Sequence, residues 1–419
     1  MLVDSWKNKE KKLREIYLSL KNEIRFTLIT YLGIMISVIS GVLLARYLGA
    51  NARGTLAYYT SFILLACFVS SFNFSSGTAR VMNQIPENQD KNERVILIKV
   101  LCIGFLLSTM FACIVTFSGI IERENLKISI FFFLIATGMA AISSYFEGIW
   151  TYQGKLMFIT AARFLGLFVP AIFAIVLILM DKATIEVLLL AQLLVLAANI
   201  LLIYFYTNYG SHTKSPDFNV SVKSAIRGMP AYLIEYLSFW FITYSIMHLD
   251  GATALGNYVI ASSLASAADS IFGASRVKYY KSLIDQNIKH FQKLLVVLFR
   301  STIPSLFLHL AFIPFALLIP MIYGPDFYSA RKIAVFLLLS RIISICARTI
   351  ALFLISIKKD GYSTFVYLSF LIPFLTLSHF NEKKVMGYYW TYAYLYASII
   401  MFLSSLILLY SLSVKSRNR

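Results

Sequence analysis

Residues 46–66, RYLGANARGTLAYYTSFILLA, end one long apolar run, pass through a short glycine-containing turn and begin a second apolar run. Residues 247–266, MHLDGATALGNYVIASSLAS, repeat this arrangement in the second half of the chain. In both stretches a second glycine, Gly54 or Gly256, opens a helix that begins with tyrosine and small residues. Matching hairpins half a chain apart indicate an internal repeat of the kind found in membrane transporters.

The whole chain is strongly apolar. Hydrophobic residues make up 59% of its 419 residues, and the mean hydropathy is +0.74. A soluble protein of this length would form two or three domains with periodically spaced apolar residues. Here the apolar runs are long enough to cross a hydrocarbon core of about 30 Å, so we expect an all-α polytopic membrane protein. The twelve runs are 26–48, 55–78, 96–117, 128–150, 158–180, 185–207, 229–249, 257–279, 294–321, 334–356, 362–379 and 388–412.

Most of the lysines and arginines behind the net charge of +18 lie in the predicted loops and termini. If the N-terminus is cytoplasmic, the inner segments hold 25 lysines and arginines and the outer loops hold 9. This positive-inside bias predicts that both termini are cytoplasmic. Topology therefore accounts for the basic charge, and no nucleic-acid partner is needed.

The longest inner connection divides the predicted spans into six and six, which puts both repeats in the membrane the same way up. The expected regions are a cytoplasmic amphipathic leader (1–25), an N-lobe with transmembrane helices 1–6 (26–207), a cytoplasmic linker (208–228), a C-lobe with helices 7–12 (229–412) and a cytoplasmic tail (413–419). The leader either lies on the inner leaflet or is simply solvated, since its apolar residues at helical spacing alternate with cations.

Several stretches resemble one family. GVLLARYLGANARGTLAYY (41–59) resembles the first hairpin of bacterial O-antigen and capsular-polysaccharide flippases, which belong to the multidrug/oligosaccharidyl-lipid/polysaccharide exporter superfamily. Residues 246–283 are similar to the family's seventh and eighth spans. Residues 318–342, which contain MIYGPDFYSARK, are similar to its ninth outer turn, and 387–403 resemble the start of its last span.

The resemblance implies a V-shaped pair of six-helix lobes that alternates between inward-open and outward-open states. The implied cargo is an undecaprenyl-diphosphate-linked oligosaccharide, moved from the cytoplasmic to the periplasmic leaflet of the cell inner membrane. In that family spans one, two, seven and eight line the cavity, and an H⁺ or Na⁺ gradient supplies the energy. Membrane lipids, a polysaccharide polymerase and a chain-length regulator are the implied partners. No Walker-type phosphate loop is present, and no cofactor is expected.

The candidate cargo-binding cations lie on the implied cavity helices. Arginine suits a diphosphate because its planar fork bonds phosphate oxygens bidentately and stays charged. Arg46 and Arg53 lie at the predicted outer end, where cations are otherwise few, and Arg80 and Arg276 at the inner ends of spans two and eight. The alternative for the inner pair is ordinary positive-inside anchoring.

Two carboxylates, Glu235 and Asp269, lie deep in spans seven and eight and are the candidates for ion coupling. A carboxylate that is buried without a partner tends to bind a proton, and neighbouring oxygens would make it a sodium ligand. The alternative is structural pairing with arginines of the second half.

The remaining candidates follow from residue type and position. Candidate sugar-stacking aromatics on cavity helices are Tyr58, Tyr59, Trp240, Tyr244 and Tyr258. Charges expected to be buried and structural are Arg163, Arg300, Arg341, Arg348 and Glu147. His309 has no second histidine at ligand spacing, so we expect a packing residue and no metal site.

Two other functions compete with the flippase interpretation. A multidrug/cation antiporter of the same superfamily would favour an acidic cavity, whereas this chain has more intramembrane arginines than acids. A membrane-embedded polysaccharide polymerase would need a sizeable outer loop with acid/base residues, and every outer loop here is short.

Overall fold

The protein is almost entirely helical in the residues that the computed structural model describes. Those residues are 2–82, 93–117, 126–153, 155–209, 218–285, 291–356, 360–379 and 389–417. Helices are expected here because hydrocarbon offers no hydrogen-bond partner to backbone N–H and C=O groups.

Most predicted spans fall on a single helix, but two of them, 55–78 and 294–321, are each divided between two helices. The helices are α1 (Leu2–Ser71), α2 (Phe74–Met82), α3 (Glu93–Phe117), α4 (Leu126–Gln153), α5 (Leu156–Leu179), α6 (Ile185–Tyr209), α7 (Phe218–Leu249), α8 (Gly251–Asp285), α9 (Phe291–Leu317), α10 (Ile319–Tyr323), α11 (Ala330–Ser356), α12 (Asp360–His379) and α13 (Tyr389–Arg417). A 3₁₀ turn, Pro325–Phe327, precedes α11. The leader predicted for 1–25 is helical from residue 2 and continuous with the first span.

Within the described residues, six helical segments are long and apolar enough to cross a membrane. They are Tyr31–Ser71, Met157–Leu179, Ile185–Phe205, Ala330–Ala351, Gly361–Ser378 and Trp390–Leu412. The expected all-α membrane architecture is confirmed. The division into two lobes stays a prediction, and residues 210–217 of the predicted linker lie outside the described part.

Helix α1 bends sharply at Gly49, where the backbone leaves the helical region with φ 72° and ψ 175°. The bend separates a first arm, residues 2–48, from a second arm, residues 50–71. At the start of α8, Gly251 has a φ of 84°. Only glycine adopts such positive φ values at little cost. Both glycine turns of the sequence repeat therefore contain a glycine with a positive φ.

The second arm of α1 and helix α8 cross with their backbones in contact. A methyl group added at Gly54 would overlap the carbonyl oxygen of Ala252, and one added at Gly256 would overlap that of Ala50. Ala50 and Ala252 are equivalent positions of the repeat, and so are Gly54 and Gly256. Each contact therefore joins the glycine of one half to the equivalent alanine of the other half. Small residues allow such close helix approach in membranes. The glycines that open the repeated helices thus form a reciprocal crossing at the predicted outer end.

The predicted second span, 55–78, is interrupted near its inner end. Phe72 and Asn73 both have positive φ values, 49° and 54°, so α1 stops and α2 starts again at Phe74. Helix α2 packs closely on α7, since a methyl group at Gly77 would lie 2.8 Å from the backbone nitrogen of Ala225. The second span therefore contacts α8 at its outer end and the start of α7 at its inner end.

The largest buried cluster joins the two halves of the chain. It runs from Phe62 of the second arm through Tyr258 of α8 to Phe327 and Phe374, all of them nearly inaccessible. A separate aromatic cluster surrounds Trp150 of α4. The main core therefore joins the helices that carry the repeat to α11, α12 and α13.

The glycine crossing predicts the effect of Gly54→Ala. The added methyl group must push the second arm away from α8, and overpacking of this kind costs about 1–3 kcal/mol. Thermal unfolding of the purified protein in detergent should therefore occur at a lower temperature. Gly41→Ala is the matched control, because nothing lies within 4 Å of a methyl group there. Equal melting temperatures for the two variants would contradict the crossing.

Candidate functional site

Arg46 bridges the first arm of α1 to α10 at the predicted outer end. Its Nε donates to the carbonyl oxygen of Ile322 at 2.8 Å, and its Nη2 donates to that of Met321 at 3.0 Å. These carbonyls belong to the last turn of a five-residue helix, where backbone acceptors lack intrahelical partners. One edge of the Arg46 guanidinium therefore caps α10, and its remaining donors are left for other contacts.

Arg53 and Asn257 lie in the same outer region. The Nε atom of Arg53 is buried and has no hydrogen-bond partner among the described residues. Asn257 of α8 donates to the carbonyl oxygens of Thr253 and Asp326 at 3.0 and 3.3 Å, and accepts from the backbone N–H of Ala330 at 2.9 Å. Asn257 thus ties α8 to the turn that precedes α11, a role that the sequence did not indicate.

Most of the predicted sugar-stacking aromatics form one packed layer, which we call the aromatic seam. Its members are Tyr58 and Phe62 of the second arm and Trp240, Tyr244 and His248 of α7. Neighbouring ring centroids are 4.2–5.5 Å apart, and the Tyr58 hydroxyl lies 3.4 Å from Nε2 of His248. Each such ring pair contributes about 0.5–1.5 kcal/mol beyond simple burial. The seam therefore holds α1 and α7 together across the two halves.

The other two predicted aromatics make separate ring contacts. Tyr59 packs edge-on against Tyr58, with ring centroids 5.8 Å apart. Tyr258 of α8 is 2% exposed and packs edge-on against Trp390 of α13 at 4.9 Å. Tyr258 is therefore part of the core in this structure, and the sugar-stacking role of all five aromatics stays a prediction.

Asp269 is hydrogen-bonded to Arg341 and lies close to His309, without a hydrogen bond to its ring. Its Oδ2 accepts a hydrogen bond from Nη1 of Arg341 on α11 at 3.0 Å, and its Oδ1 lies 3.3 Å from Nε2 of His309 on α9. His309 is fully buried, as expected, and its Nδ1 lies 2.7 Å from the carbonyl oxygen of Ser305 one turn earlier. The structure thus brings together three helices around one carboxylate.

Glu235 of α7 forms a second, looser pair. Its Oε1 is 3.7 Å from Nε of Arg348, and both side chains keep 27% of their surface accessible. Tyr367 of α12 hydrogen-bonds to the same carboxylate. This group lies two helical turns along α11 from Arg341, since the arginines are seven residues apart and share one face. Helix α11 therefore carries a stripe of two arginines, each opposite one predicted coupling carboxylate.

These pairings explain how the charges are tolerated. An unpaired charge at bilayer depth costs several kcal/mol, whereas a paired and hydrogen-bonded one costs far less. The polar groups Asp269, His309, Arg341, Glu235 and Arg348 form what we call the charged layer. Both the coupling role and the structural role predicted for its members remain compatible with this geometry.

A small cavity of about 160 Å³ lies in the first half, between α4, α5 and α6. Its lining includes Glu147 and Arg163, together with Ser143 and Asn199. The hydroxyl oxygen of Ser143 and the side-chain oxygen of Asn199 are buried without a hydrogen-bond partner in the described part of the chain. Arg163 is exposed, in contrast to the burial expected from the sequence. It shares the wall of this cavity with Glu147, which is half-buried.

Three predicted residues cannot be placed at the level of side chains. The side chains of Arg80 on α2, Arg276 on α8 and Arg300 on α9 lie outside the described part, although their helices are described. Their predicted roles stay predictions.

Sequence reasoning missed three residues at these sites: Asn257, His309 as a partner of Asp269, and Tyr367. Each is an isolated polar residue in an apolar span. A polar residue in an apolar span usually faces protein or a watery cavity, and this tendency was the only sign in the sequence that these residues make contacts. Their partners lie on other helices, so no local spacing identified the contacts.

A comparison with known families finds one match. The profile of a family described as polysaccharide biosynthesis protein matches residues 19–277, which is more than half of the chain. This range includes both glycine hairpins and the predicted coupling carboxylates. A comparison with curated proteins finds no match.

Solved structures of the same architecture include a multidrug resistance MATE family transporter of the MOP superfamily. Its inward-facing form has a TM-score of 0.64 at 11% identity, covering 92% of this chain and 98% of that one. Its outward-facing form has a TM-score of 0.63 at 11% identity, covering 94% and 96%. A MOP superfamily transporter from Pyrococcus furiosus has a TM-score of 0.58 at 13% identity, covering 93% and 96%. At these identities the likeness establishes the fold alone.

The ion pair between Asp269 and Arg341 predicts a stability effect. Asp269→Asn leaves the Arg341 charge without its carboxylate, and breaking a buried pair in this way costs about 3–5 kcal/mol. The variant should melt well below the unaltered protein in detergent. The double variant Asp269→Asn/Arg341→Met removes both charges and should recover much of the loss. Additive destabilisation by the two changes would contradict the pairing.

Proposed function

Since this chain belongs to the polysaccharide biosynthesis protein family and has the fold of MOP superfamily transporters, we propose that it is a flippase for undecaprenyl-diphosphate-linked oligosaccharides. It moves the repeat units of an O-antigen or capsular polysaccharide from the cytoplasmic to the periplasmic leaflet. The observation that carries this proposal is the match of residues 19–277 to a polysaccharide biosynthesis family, in a chain that has an exporter fold.

The proposed route follows from the chemistry of the cargo. A diphosphate and a string of sugars can pass the hydrocarbon only where protein groups replace water and offset the charge. Arg80 and Arg276 take the diphosphate at the cytoplasmic face, because arginine forks bond phosphate oxygens bidentately. Arg46 and Arg53 lie at the opposite end, where the cargo leaves. Separation of the aromatic seam would expose tyrosine and tryptophan faces to the sugars.

The protein lies in the cytoplasmic membrane, with both termini inside and two six-helix lobes on either side of the path. The loop charges support this orientation, with 25 inner and 9 outer cations. A polysaccharide polymerase and a chain-length regulator would use the product on the periplasmic side.

The competing function is export of cationic drugs, since solved structures with this fold include multidrug transporters. A site for cationic drugs needs an available carboxylate. Among the described residues of α7 and α8, the two intramembrane carboxylates, Glu235 and Asp269, both face arginines. The excess of cations supports an anionic cargo.

The first test addresses the inner arginines. Arg80→Ala and Arg276→Ala should abolish surface polysaccharide in cells that depend on this protein, and lipid-linked repeat units should accumulate facing the cytoplasm. Surface polysaccharide is measured by gel staining, and the accumulated lipid by mass spectrometry. Arg331→Ala is the control, because Arg331 lies at the outer turn and stacks on Tyr328 at 4.7 Å. Normal polysaccharide in both inner variants would remove these arginines from the route.

The second test addresses the carboxylate of Glu235. Glu235→Gln keeps the size of the side chain and removes its charge, so transport should lose its dependence on an ion gradient. The measurement is gradient-driven transport in everted membrane vesicles. Transport by the variant that still follows the gradient as in the unaltered protein would clear Glu235 of a coupling role.

A further inference from the structure

The cavity between α4, α5 and α6 has no part in the route proposed for the cargo. We call this cavity the inner pocket; its volume is about 160 Å³, and its polar lining consists of Ser143, Glu147, Arg163 and Asn199. These residues lie on the halves of the three helices that the loop charges place toward the cytoplasm. The inner pocket therefore lies within the first half, toward the predicted cytoplasmic side.

Two buried polar atoms of the inner pocket have no hydrogen-bond partner among the described residues. They are Oγ of Ser143 and Oδ1 of Asn199. Buried polar side-chain atoms are in the large majority hydrogen-bonded, either to protein or to a bound molecule. The hydroxyl of Ser143 can donate or accept, whereas the amide oxygen of Asn199 only accepts. The inner pocket therefore offers hydrogen bonds that the surrounding protein does not use.

The charges of the inner pocket favour an uncharged ligand. Glu147 and Arg163 interact electrostatically, but no direct ion pair joins them in the described part of the chain. A cation in the pocket would lie beside the guanidinium, and an anion would lie beside the carboxylate. The residues described also contain no group of three acidic, histidine or cysteine side chains that could hold a metal. A neutral ligand can instead accept from Arg163 and donate to Glu147.

The size and the apolar walls of the inner pocket suit one small ring. An apolar cavity of about 150 Å³ binds benzene in an engineered protein, whereas sites for drug-sized ligands measure about 300–1,000 Å³. Ile159, Ile203 and Trp150 complete the lining, and Trp150 is held by stacking on Phe158 with ring centroids 5.5 Å apart. A neutral sugar ring combines hydroxyls that donate and accept with C–H faces that pack on apolar side chains.

The inner pocket borders the contact between the two halves of the chain. Glu147 also acts electrostatically on Tyr236 of α7, in the second half. Tyr236 is 42% exposed and stacks on Phe68 of the second arm, with ring centroids 3.7 Å apart. A ligand held by Glu147 would therefore lie near the place where the halves meet, beside the proposed path of the cargo.

We propose that the inner pocket binds one uncharged polyhydroxylated group, with Ser143 and Asn199 bonding its hydroxyls and with Glu147 and Arg163 bridged by them. A neutral sugar of the lipid-linked repeat unit and the glycerol headgroup of a phospholipid share this chemistry. We assign the pocket to the sugar because it borders the contact between the halves. This assignment rests on the proposed flippase function; the preference for an uncharged polyol rests on geometry alone.

Saturation-transfer NMR of the purified full-length protein tests the binding directly. The detergent must lack a sugar headgroup, and the probes are glucose, galactose, N-acetylglucosamine and glycerol, with glucuronate as the charged comparison. At least one neutral sugar should receive saturation from the protein, and glucuronate should not. Asn199→Leu keeps the size of the side chain and removes its acceptor, so the signal should fall by about tenfold, as expected for a lost hydrogen bond at a buried polar group.

A second pocket variant and a control make the binding test decisive. Ser143→Val also removes a polar atom and should weaken the signal as Asn199→Leu does. Thr109→Val is the control, because Thr109 is exposed on α3 and its hydroxyl donates to the carbonyl oxygen of Phe105 in its own helix. Equal signals in the unaltered protein and both pocket variants, no signal from any neutral probe, or stronger binding of glucuronate overturns the proposal. A signal from glycerol alone, lost in the pocket variants, supports the polyol site and overturns its assignment to a sugar.

Transport kinetics separate the assignment to the cargo from the site itself. In liposomes with a fluorescent undecaprenyl-diphosphate oligosaccharide, Asn199→Leu should raise the cargo concentration for half-maximal transport by about tenfold and leave the maximal rate unchanged. Thr109→Val should behave as the unaltered protein does. An unchanged half-maximal concentration in Asn199→Leu overturns the assignment to the cargo sugar. If the unaltered protein moves no lipid-linked oligosaccharide, the flippase function fails, while the NMR measurement still decides whether the inner pocket binds a polyol.

Discussion

The structure depends on the cost of placing charge in hydrocarbon. An ionised group at bilayer depth is retained only where another group balances it or where water reaches it. Helix α11 meets this requirement with two arginines on one face, one opposite Asp269 and the other opposite Glu235. Because these carboxylates lie on α8 and α7, the charge balance fixes how three helices of the second half pack. The same balance determines where a change of charge would alter the packing.

A second constraint is the closeness of the two halves. The reciprocal contacts of Gly54 and Gly256 bring α1 and α8 into backbone contact at the predicted outer end. The aromatic seam extends this junction inward, and Arg46 and Asn257 fasten the outer turn. A motion that opens a passage between the halves at the outer end must separate these contacts. Helix α8 belongs both to the junction and to the charged layer, so the two regions share one helix.

The sequence predicted the helical architecture because the backbone of a long apolar run in a membrane must satisfy its own hydrogen bonds, which a helix does. It also identified Gly54 and Gly256, since the repeat exposed them, and Asp269, Glu235, Arg341 and Arg348, since charge is rare in such runs. It did not predict the break at Phe72 and Asn73, which no proline or glycine marks. The pairing of His309 with Asp269 was also missed, because it joins helices through residues 40 positions apart. Tertiary contacts of this kind leave no periodic signal.

The central claim is that this chain carries an oligosaccharide on a diphosphate lipid across a bilayer. The most direct measurement uses liposomes of one defined lipid mixture, with the purified protein and a fluorescent undecaprenyl-diphosphate oligosaccharide, and follows how much fluorescence an external quencher reaches. An imposed pH or sodium gradient should move the labelled head group between leaflets far faster than in liposomes without protein. Equal rates with and without protein, or movement of a cationic dye in place of the lipid, would contradict the account.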